Sequence, residues 1–380
     1  MLIEKLSNRV DIKKYLRELG VDDGGIDILA QKAKVHIIHI KELSVGGANI
    51  LKQDALSIGA DLAVPKGTVI ASTPKVDCIL IATTKHLKTL AKKELAQPFG
   101  LKELAKNLSE YIKKEKEYPR EIMGIINAND DSFFSQSRFT NEQAISKIEE
   151  MIKEGATIID IGAVSSAPNS AVVSETEELE RIKPICKAIQ ENRLFEKVRF
   201  SIDSYAPSVI EYALQSGFSI VNDITGLQND EVCKLCAEYN ATAVIMHMQG
   251  TPQTMQVNPH YENVLTEVYE FFQERIEKAE SFGVQDIVLD IGIGFGKSLE
   301  HNLRLLKNLE HFRSLHKRLL VGASRKSLID KIVPTPVEER LAATLILHNE
   351  ALVNGATILR VHDVKEHVKA LKIFEALQKV

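Results

Sequence analysis

Asp203, Asp290 and Asn222 each stand at or near the end of a short apolar run in this chain. Carboxylates and an amide converging on one volume suit a flat heterocycle that presents several N–H donors and acceptors. Farther along, Arg325, Lys326, Arg360 and His362 supply donors suited to phosphate oxygens. A site both acidic and cationic implies a polar ring on one side and an anionic group on the other. One strand-end aspartate alone is as readily a structural cap, so the reading rests on several together.

Two other motifs invite chemistry and are read more plainly. The stretch Gly292-Ile293-Gly294-Phe295-Gly296 follows an apolar run, but its G-x-G-x-G spacing is not the dinucleotide fingerprint G-x-G-x-x-G. Its glycines are expected to let the backbone pass close to a ligand. Cys233-x-x-Cys236 has the spacing of a redox pair or half a zinc site, yet no second such pair accompanies it. With Val232 and Leu235 beside them, these cysteines are expected on the apolar side of a helix.

The elements that must position the polar residues are legible as eight apolar runs separated by amphipathic segments. They are Ile122 to Asn127, Thr157 to Gly162, Val198 to Asp203, Ser219 to Ile224, Thr242 to Met248, Ile287 to Gly292, Leu319 to Gly322 and Ile358 to His362. Each is short and rich in Ile, Val or Leu, as parallel strands buried on both faces are. The intervening segments repeat apolar residues at helical spacing. Asn127, Asp160, Asp203, Asn222, His247, Asp290, Ser324, Arg360 and His362 fall near the C-terminal ends of the runs. A (β/α)8 TIM barrel gathers those ends around one mouth, whereas a long open sheet scatters them along an edge.

Residues 1–115 follow another pattern, with a helical opening to Leu19, strands at Val35 to Ile40, near Val69 and at Asp77 to Ala82, and helices over Ala48 to Ile58, from Lys85 and from Leu101. The expected fold is therefore α/β: a small N-terminal α/β domain over 1–115, then the barrel over 120–380. The N-terminal part is expected to dock or oligomerise rather than to contribute chemistry. Gly46-Gly47-Ala48-Asn49 before a helix and the basic helix Lys85 to Lys93 are the features there that would suit an anion.

Bulk composition narrows the function classes. Of the 380 residues, 44% are hydrophobic and 26% charged, the balance of a globular protein with a full core. A formal net charge of -4 provides no basic field for nucleic acid or an anionic membrane surface. Charges in Met1-Leu2-Ile3-Glu4-Lys5 interrupt any signal-peptide core, and no apolar run reaches the length of a membrane span. A cytoplasmic protein with reduced thiols is expected.

Seven runs in order carry a family resemblance: Met123-Gly124-Ile125-Ile126-Asn127, Ser201-Ile202-Asp203-Ser204, Ile220-Val221-Asn222-Asp223-Ile224, Met246-His247-Met248-Gln249-Gly250, Asp290 to Lys297, Ser324-Arg325-Lys326-Ser327 and Arg360-Val361-His362-Asp363. Across about residues 121 to 378 the chain resembles the dihydropteroate synthases. The resemblance implies a transferase of folate biosynthesis that condenses 6-hydroxymethyl-7,8-dihydropterin pyrophosphate with 4-aminobenzoate. It implies a pterin set of Asp203, Asn222, Met246, Asp290, Lys326 and Arg360, and a pyrophosphate set of Asn127, Arg360 and His362. Phe133, Pro168, Phe295, Lys326 and Ser327 are the implied aminobenzoate contacts, Asn127 the implied Mg2+ contact, and Asp131 a loop-closing aspartate. Barrels of this family are commonly homodimers.

Two loops depart from the family pattern. The first usually reads Asn-x-Thr-Pro-Asp-Ser-Phe and here reads Asn127-Ala128-Asn129-Asp130-Asp131-Ser132-Phe133; the second usually carries arginine where Ala167 stands. The candidate substitute cations are Arg138, which is favoured, and Lys326 or Arg360 acting alone. Two alternatives share the pocket: a pterin-dependent methyltransferase, which has no use for the Ser-Arg-Lys-Ser and Arg-Val-His-Asp pair, and a non-catalytic pterin-binding protein, which turnover separates from the enzyme.

Overall fold

The computed structural model describes residues 1–7, 10–113, 116–127, 139–164 and 173–379, with the side chains of 139–142 left aside. The chain divides into two compact units, Met1–Glu115 and Lys116–Val380. Asp131, Phe133 and Pro168, together with Arg138 and Ala167, lie outside the described residues.

In the first unit, strands β1 (Val35–Ser44), β2 (Asp61–Ala63) and β3 (Lys75–Thr83) form an antiparallel sheet in the order β1-β3-β2. Helices Val45–Ser57, Thr84–Lys93 and Leu101–Tyr111 bury Leu51, Leu87, Leu90 and Leu101 in one core with Cys78 and Leu80 of β3. The strand expected near Val69 is instead a 3-10 turn, Thr68–Ile70. Left-handed backbone at Gly67 and Ala71 brackets it and breaks any extended run. A helix at Asp23–Ala33 was not legible, because only Ile26 of it is buried and no apolar stripe marks it. The Ser44 hydroxyl accepts from Gly47 N at 3.2 Å, and a Cβ on Gly47 would lie 2.9 Å from Phe99 O. Close packing therefore accounts for this glycine without an anion.

The second unit is a closed barrel of eight parallel strands: β4 (Glu121–Asn127), β5 (Ile158–Gly162), β6 (Arg199–Asp203), β7 (Ile220–Asp223), β8 (Thr242–Met246), β9 (Ile287–Asp290), β10 (Arg318–Val321) and β11 (Ile358–Val361). Every expected barrel strand is present, with bounds that differ by no more than a residue or two. Alternation along each strand sorts side chains between the interior and the helix layer. Ile159, Ile161, Phe200, Ile202, Val221, Ile245 and Leu289 point outward into the large core shared with the helices.

The inward side chains form three tiers. At the strand starts Glu121 pairs with Arg199 and, at 3.3 Å, with Arg318, whose other nitrogen meets Asp286 at 2.7 Å. Two residues farther along sits an apolar plug of Met123, Ile158, Ile220, Val244, Val288, Leu320 and Ile358. Two residues beyond that the tier turns polar: Asp160, Asp203, Asn222, Met246, Asp290 and Arg360. The plug makes the barrel a packed core, so a ligand can reach the polar tier only from the C-terminal mouth.

Candidate active site

Strand register sets the floor of the mouth. Asp203 on β6 lies opposite Asn222 on β7, and Met246 on β8 opposite Asp290 on β9. From β11, Arg360 reaches across the interior: Nε donates to Asp160 Oδ2 at 2.6 Å and an Nη to Asp203 Oδ2 at 2.7 Å. Asn222 Nδ2 donates to the same Asp160 oxygen at 3.1 Å. Asp160 is fully enclosed, and among the described residues one of its oxygens has no hydrogen-bond partner. It acts as the brace under the site, a role that reading the sequence left unassigned. The neighbouring Asp223 is a structural cap, accepting from Thr225 N at 2.7 Å and Leu227 N at 3.1 Å.

Burial dominates the electrostatics. It pushes the Asp203 carboxyl up to about 7, against the pull of Arg360 and with a further push from Asp160. Asp290 is raised by burial too, with Lys326 opposing. Burial lowers the Lys326 ammonium to about 8, while Asp290 holds it up. Burial also opposes the charge on Arg360, but Asp160 and Asp203 more than offset this and keep it cationic. Asp203 and Asp290, whose charge burial opposes, stand beside a fixed guanidinium and are poised to bind a ring rich in N–H groups.

Lys326 leaves the β10 end, donates to Ile293 O and lies 4.5 Å from the centroid of the Phe295 ring. Phe295 is half-buried, and Ser327 beside Lys326 is exposed. Asn127 is exposed at the end of β4, and His362 follows β11, the strand paired with β4. Ser324 Oγ and His362 Nδ1 are 2.9 Å apart. Burial and then Arg360 lower His362 to about 4, so at neutral pH it offers a neutral imidazole rather than a cation.

The structure corrects three expectations. Arg325 does not face the mouth as a phosphate donor: it grips Asp363 with two bonds of 2.9 and 2.7 Å and donates to Val337 O and Glu338 O. His247 follows the inward Met246, so it points away and packs edge-on to Phe271 with ring centroids 4.9 Å apart. The glycine loop approaches protein rather than ligand at two of its positions. A Cβ on Gly292 would lie 2.0 Å from His247 O and one on Gly296 2.4 Å from Gln249 O, both at positive φ. Only Gly294 borders a site residue, Lys326.

Lys297 is the buried charge that sequence reasoning missed. Its ammonium donates to His247 O, Gly292 O and Phe295 O at 3.1, 3.0 and 2.9 Å, tying the glycine loop to the β8 end. Asp290 Oδ1 accepts from Gly292 N at 2.8 Å, so the loop also orients that carboxyl. Cys233 and Cys236 are buried on helix Asp230–Glu238, and burial pushes Cys236 up to about 12, as befits core thiols.

This geometry has known counterparts. The pterin binding enzyme family matches residues 123–362. A Helicobacter pylori protein named bifunctional dihydropteroate synthase/dihydropteroate reductase is 41% identical over 378 residues, 100% of this chain and 99% of that one. The chain belongs to the dihydropteroate synthase family. Among solved structures, the Clostridium difficile dihydropteroate synthase, determined in the presence of pteroic acid, is 34% identical with a TM-score of 0.64, covering 70% of this chain and 99% of that one. The Thermus thermophilus synthase in complex with 4-aminobenzoate is 37% identical with a TM-score of 0.61, covering 68% and 95%. Family membership makes the chain a transferase of folate biosynthesis, and it accounts for the match of the polar tier to the seven runs read from the sequence.

Proposed function

We propose that the barrel joins 6-hydroxymethyl-7,8-dihydropterin pyrophosphate to 4-aminobenzoate, releasing pyrophosphate and 7,8-dihydropteroate. The observation that carries this reading is the single polar tier in which Asp203, Asn222 and Asp290 ring a floor braced by Arg360 and Asp160. The pterin lies on that tier, with its N–H groups on the two carboxylates and Met246 and Arg360 against its face. Asn127, His362 and Arg360 take the pyrophosphate, and Phe295, Lys326 and Ser327 flank the aminobenzoate. Asp131, Phe133 and Pro168 belong to the same reading through the family motif alone.

The carbon–oxygen bond breaks first, and its electron pair departs with the pyrophosphate. The methylene left behind is electron-poor, and Asp203 and Asp290 stabilise it through the ring. Such preorganised charge is usually the largest catalytic contribution. The aromatic amine then forms the carbon–nitrogen bond and releases its proton, without needing a strong base. Magnesium fits as an ion carried by the substrate. Among the described residues no cluster of three or more His, Cys, Asp or Glu side chains could hold one, so Asn127 would hold it through its amide oxygen and the ion would neutralise charge on the pyrophosphate.

Pyrophosphate release by the purified chain, with aminobenzoate present and absent, tests this. Release dependent on both substrates is expected. Pterin binding without turnover favours a binding protein, and methyl transfer from a folate favours a methyltransferase.

A second activity is favoured by the reach of the Helicobacter pylori likeness, which runs through residues 1–115 as well as the barrel. We infer that the full chain also reduces dihydropteroate, adding hydride and a proton across the remaining imine of the dihydropterin ring. This adds a second role to the docking or oligomerisation expected of residues 1–115. Oxidation of a reduced nicotinamide that depends on dihydropteroate is the expected signal, and its absence removes the reading.

The reading extends to a homodimer. Helix Leu341–Val353 is rich in apolar residues on more than one face, yet Ile346 on it is 71% exposed. A helix of this kind belongs in an interior or an interface. Ile346→Glu is expected to shift the sedimentation profile from dimer to monomer, and a wild type sedimenting as a monomer would remove the interface. Four buried free cysteines support placement in the reducing cytoplasm. Among the described residues no helix is long and apolar enough to cross a membrane.

A further inference from the structure

Behind the site lies a chain of hydrogen bonds whose direction is set by chemistry. The Asp363 carbonyl can only accept, so His367 Nδ1, 2.7 Å away, carries a hydrogen. With that nitrogen protonated, neutral His367 offers Nε2 as an acceptor to His348 Nδ1 at 2.9 Å. Neutral His348 is then left with Nε2 as an acceptor, and the backbone N–H of Ala323 donates to it at 3.0 Å. Both imidazoles are 1% exposed, and burial lowers both below their ordinary range, which keeps them neutral.

The receiving end of this relay is the turn that carries Lys326. Lys326 N donates back to Ala323 O at 3.4 Å, and Arg325 between them sits at φ 55, a conformation unfavourable for a side chain of its size. Helix Leu341–Val353 and the residue before it hold this turn with side chains spaced four apart. Arg340 donates to Arg325 O at 3.1 Å, Thr344 Oγ1 accepts from Arg325 N at 3.0 Å, and His348 accepts from Ala323 N. Spacing of four places these groups on one helical face. Three backbone groups of a strained turn are thereby satisfied from a single surface, and His367 on the next helix, Val364–Gln378, sets the tautomer of the third.

We propose that His348, held in one tautomer by His367, is a positioning residue that fixes the Lys326 turn for the synthase reaction. The proposal rests on the synthase reading above. Neither histidine touches the mouth; their effect passes through Ala323 to Lys326, which lies over Phe295 and faces Asp290. Losing the acceptor leaves a buried N–H unsatisfied beside a strained residue, and that turn has no other support at Ala323 N among the described contacts.

The test compares His348→Leu with His348→Gln, and His367→Leu with His367→Gln, in the full-length chain. Leucine fills the space and cannot accept, whereas glutamine offers an oxygen near the position of Nε2. Both leucine variants are expected to raise KM for aminobenzoate and lower kcat/KM about tenfold, the effect of one unsatisfied buried donor. Both glutamine variants should stay within about twofold of wild type, since they retain the acceptor. Equal losses in leucine and glutamine variants would reduce the pair to packing and overturn the proposal, as would wild-type kinetics in folded leucine variants. If His348→Leu fails to fold, His367→Leu decides, because it leaves His348 in place and frees only its tautomer. Nitrogen-15 NMR of the wild-type imidazoles adds a readout independent of turnover: both should be protonated at Nδ1, and a His348 protonated at Nε2 overturns the relay. A wild-type chain without synthase turnover but with both Nδ1 tautomers would instead sink the functional reading and, with it, the purpose assigned to the turn.

Discussion

Replacing Arg360 with methionine is expected to lower kcat/KM by about 10²- to 10³-fold, the range seen when one preorganised electrostatic group is removed. The same change should destabilise the chain by about 3 to 5 kcal/mol, because it strips the partner from buried carboxylates. Among the described residues this guanidinium bridges Asp160 and Asp203, at 2.6 and 2.7 Å. Without it the Asp203 carboxyl, which burial already raises to about 7, loses the cation that opposes that shift. Methionine keeps much of the side-chain volume, so loss of packing contributes little. Steady-state kinetics and urea denaturation measure the two effects separately. A variant that loses stability yet keeps wild-type kcat/KM would make Arg360 a brace only and remove it from the substrate.

Asp203→Asn and Asp290→Asn should each lower kcat/KM by about 10²-fold or more while leaving a folded barrel, since both keep the shape of the side chain and remove its charge. In Asp203→Asn, Arg360 retains Asp160; in Asp290→Asn, the amide oxygen can still accept from Gly292 N. Turnover near wild type in both variants would refute the electrostatic mechanism. A pH dependence accompanies this. Asp203 lies at about 7 in the free site, and only its charged form accepts two N–H donors from a ring, so pterin affinity should weaken as pH falls through about 7. For stability the sign is opposite. The folded value lies above the unfolded one, so the folded state holds the proton more tightly and the contribution of this carboxyl is lost as pH rises toward 7. Binding isotherms at pH 6 and 8 check the first; equal affinities would mean that ligand recognition does not use the charged form.

The barrel itself was legible because its signal is local. Eight apolar runs at βα spacing needed no long-range knowledge, and the structure returns all eight strands. The polar residues at the run ends were legible for the same reason, since a strand's C-terminal end in such a barrel always faces the mouth. The period of two along a strand also separates inward Met246 from outward His247. The failed strand near Val69 has a different cause: its apolar residues are exposed in a turn, and composition alone does not distinguish that from an edge strand.

The amino-acid sequence by itself determined the eight strands of the barrel, the polar residues at their C-terminal ends and the family to which the chain belongs. Only the tertiary structure decided which charges neutralise one another. Arg360 meets partners 200 and 157 residues away, Arg325 turns to Asp363 instead of the mouth, Lys297 spends its charge on three carbonyls, and His348 finds Ala323 through His367. Periodicity shows which face of a strand or helix a residue occupies, because that follows from backbone geometry over a few residues. It does not show which of several donors reaches an acceptor across the barrel. That choice follows from strand register and from the cost of leaving a buried polar group unpaired, and both are settled only when distant segments pack together.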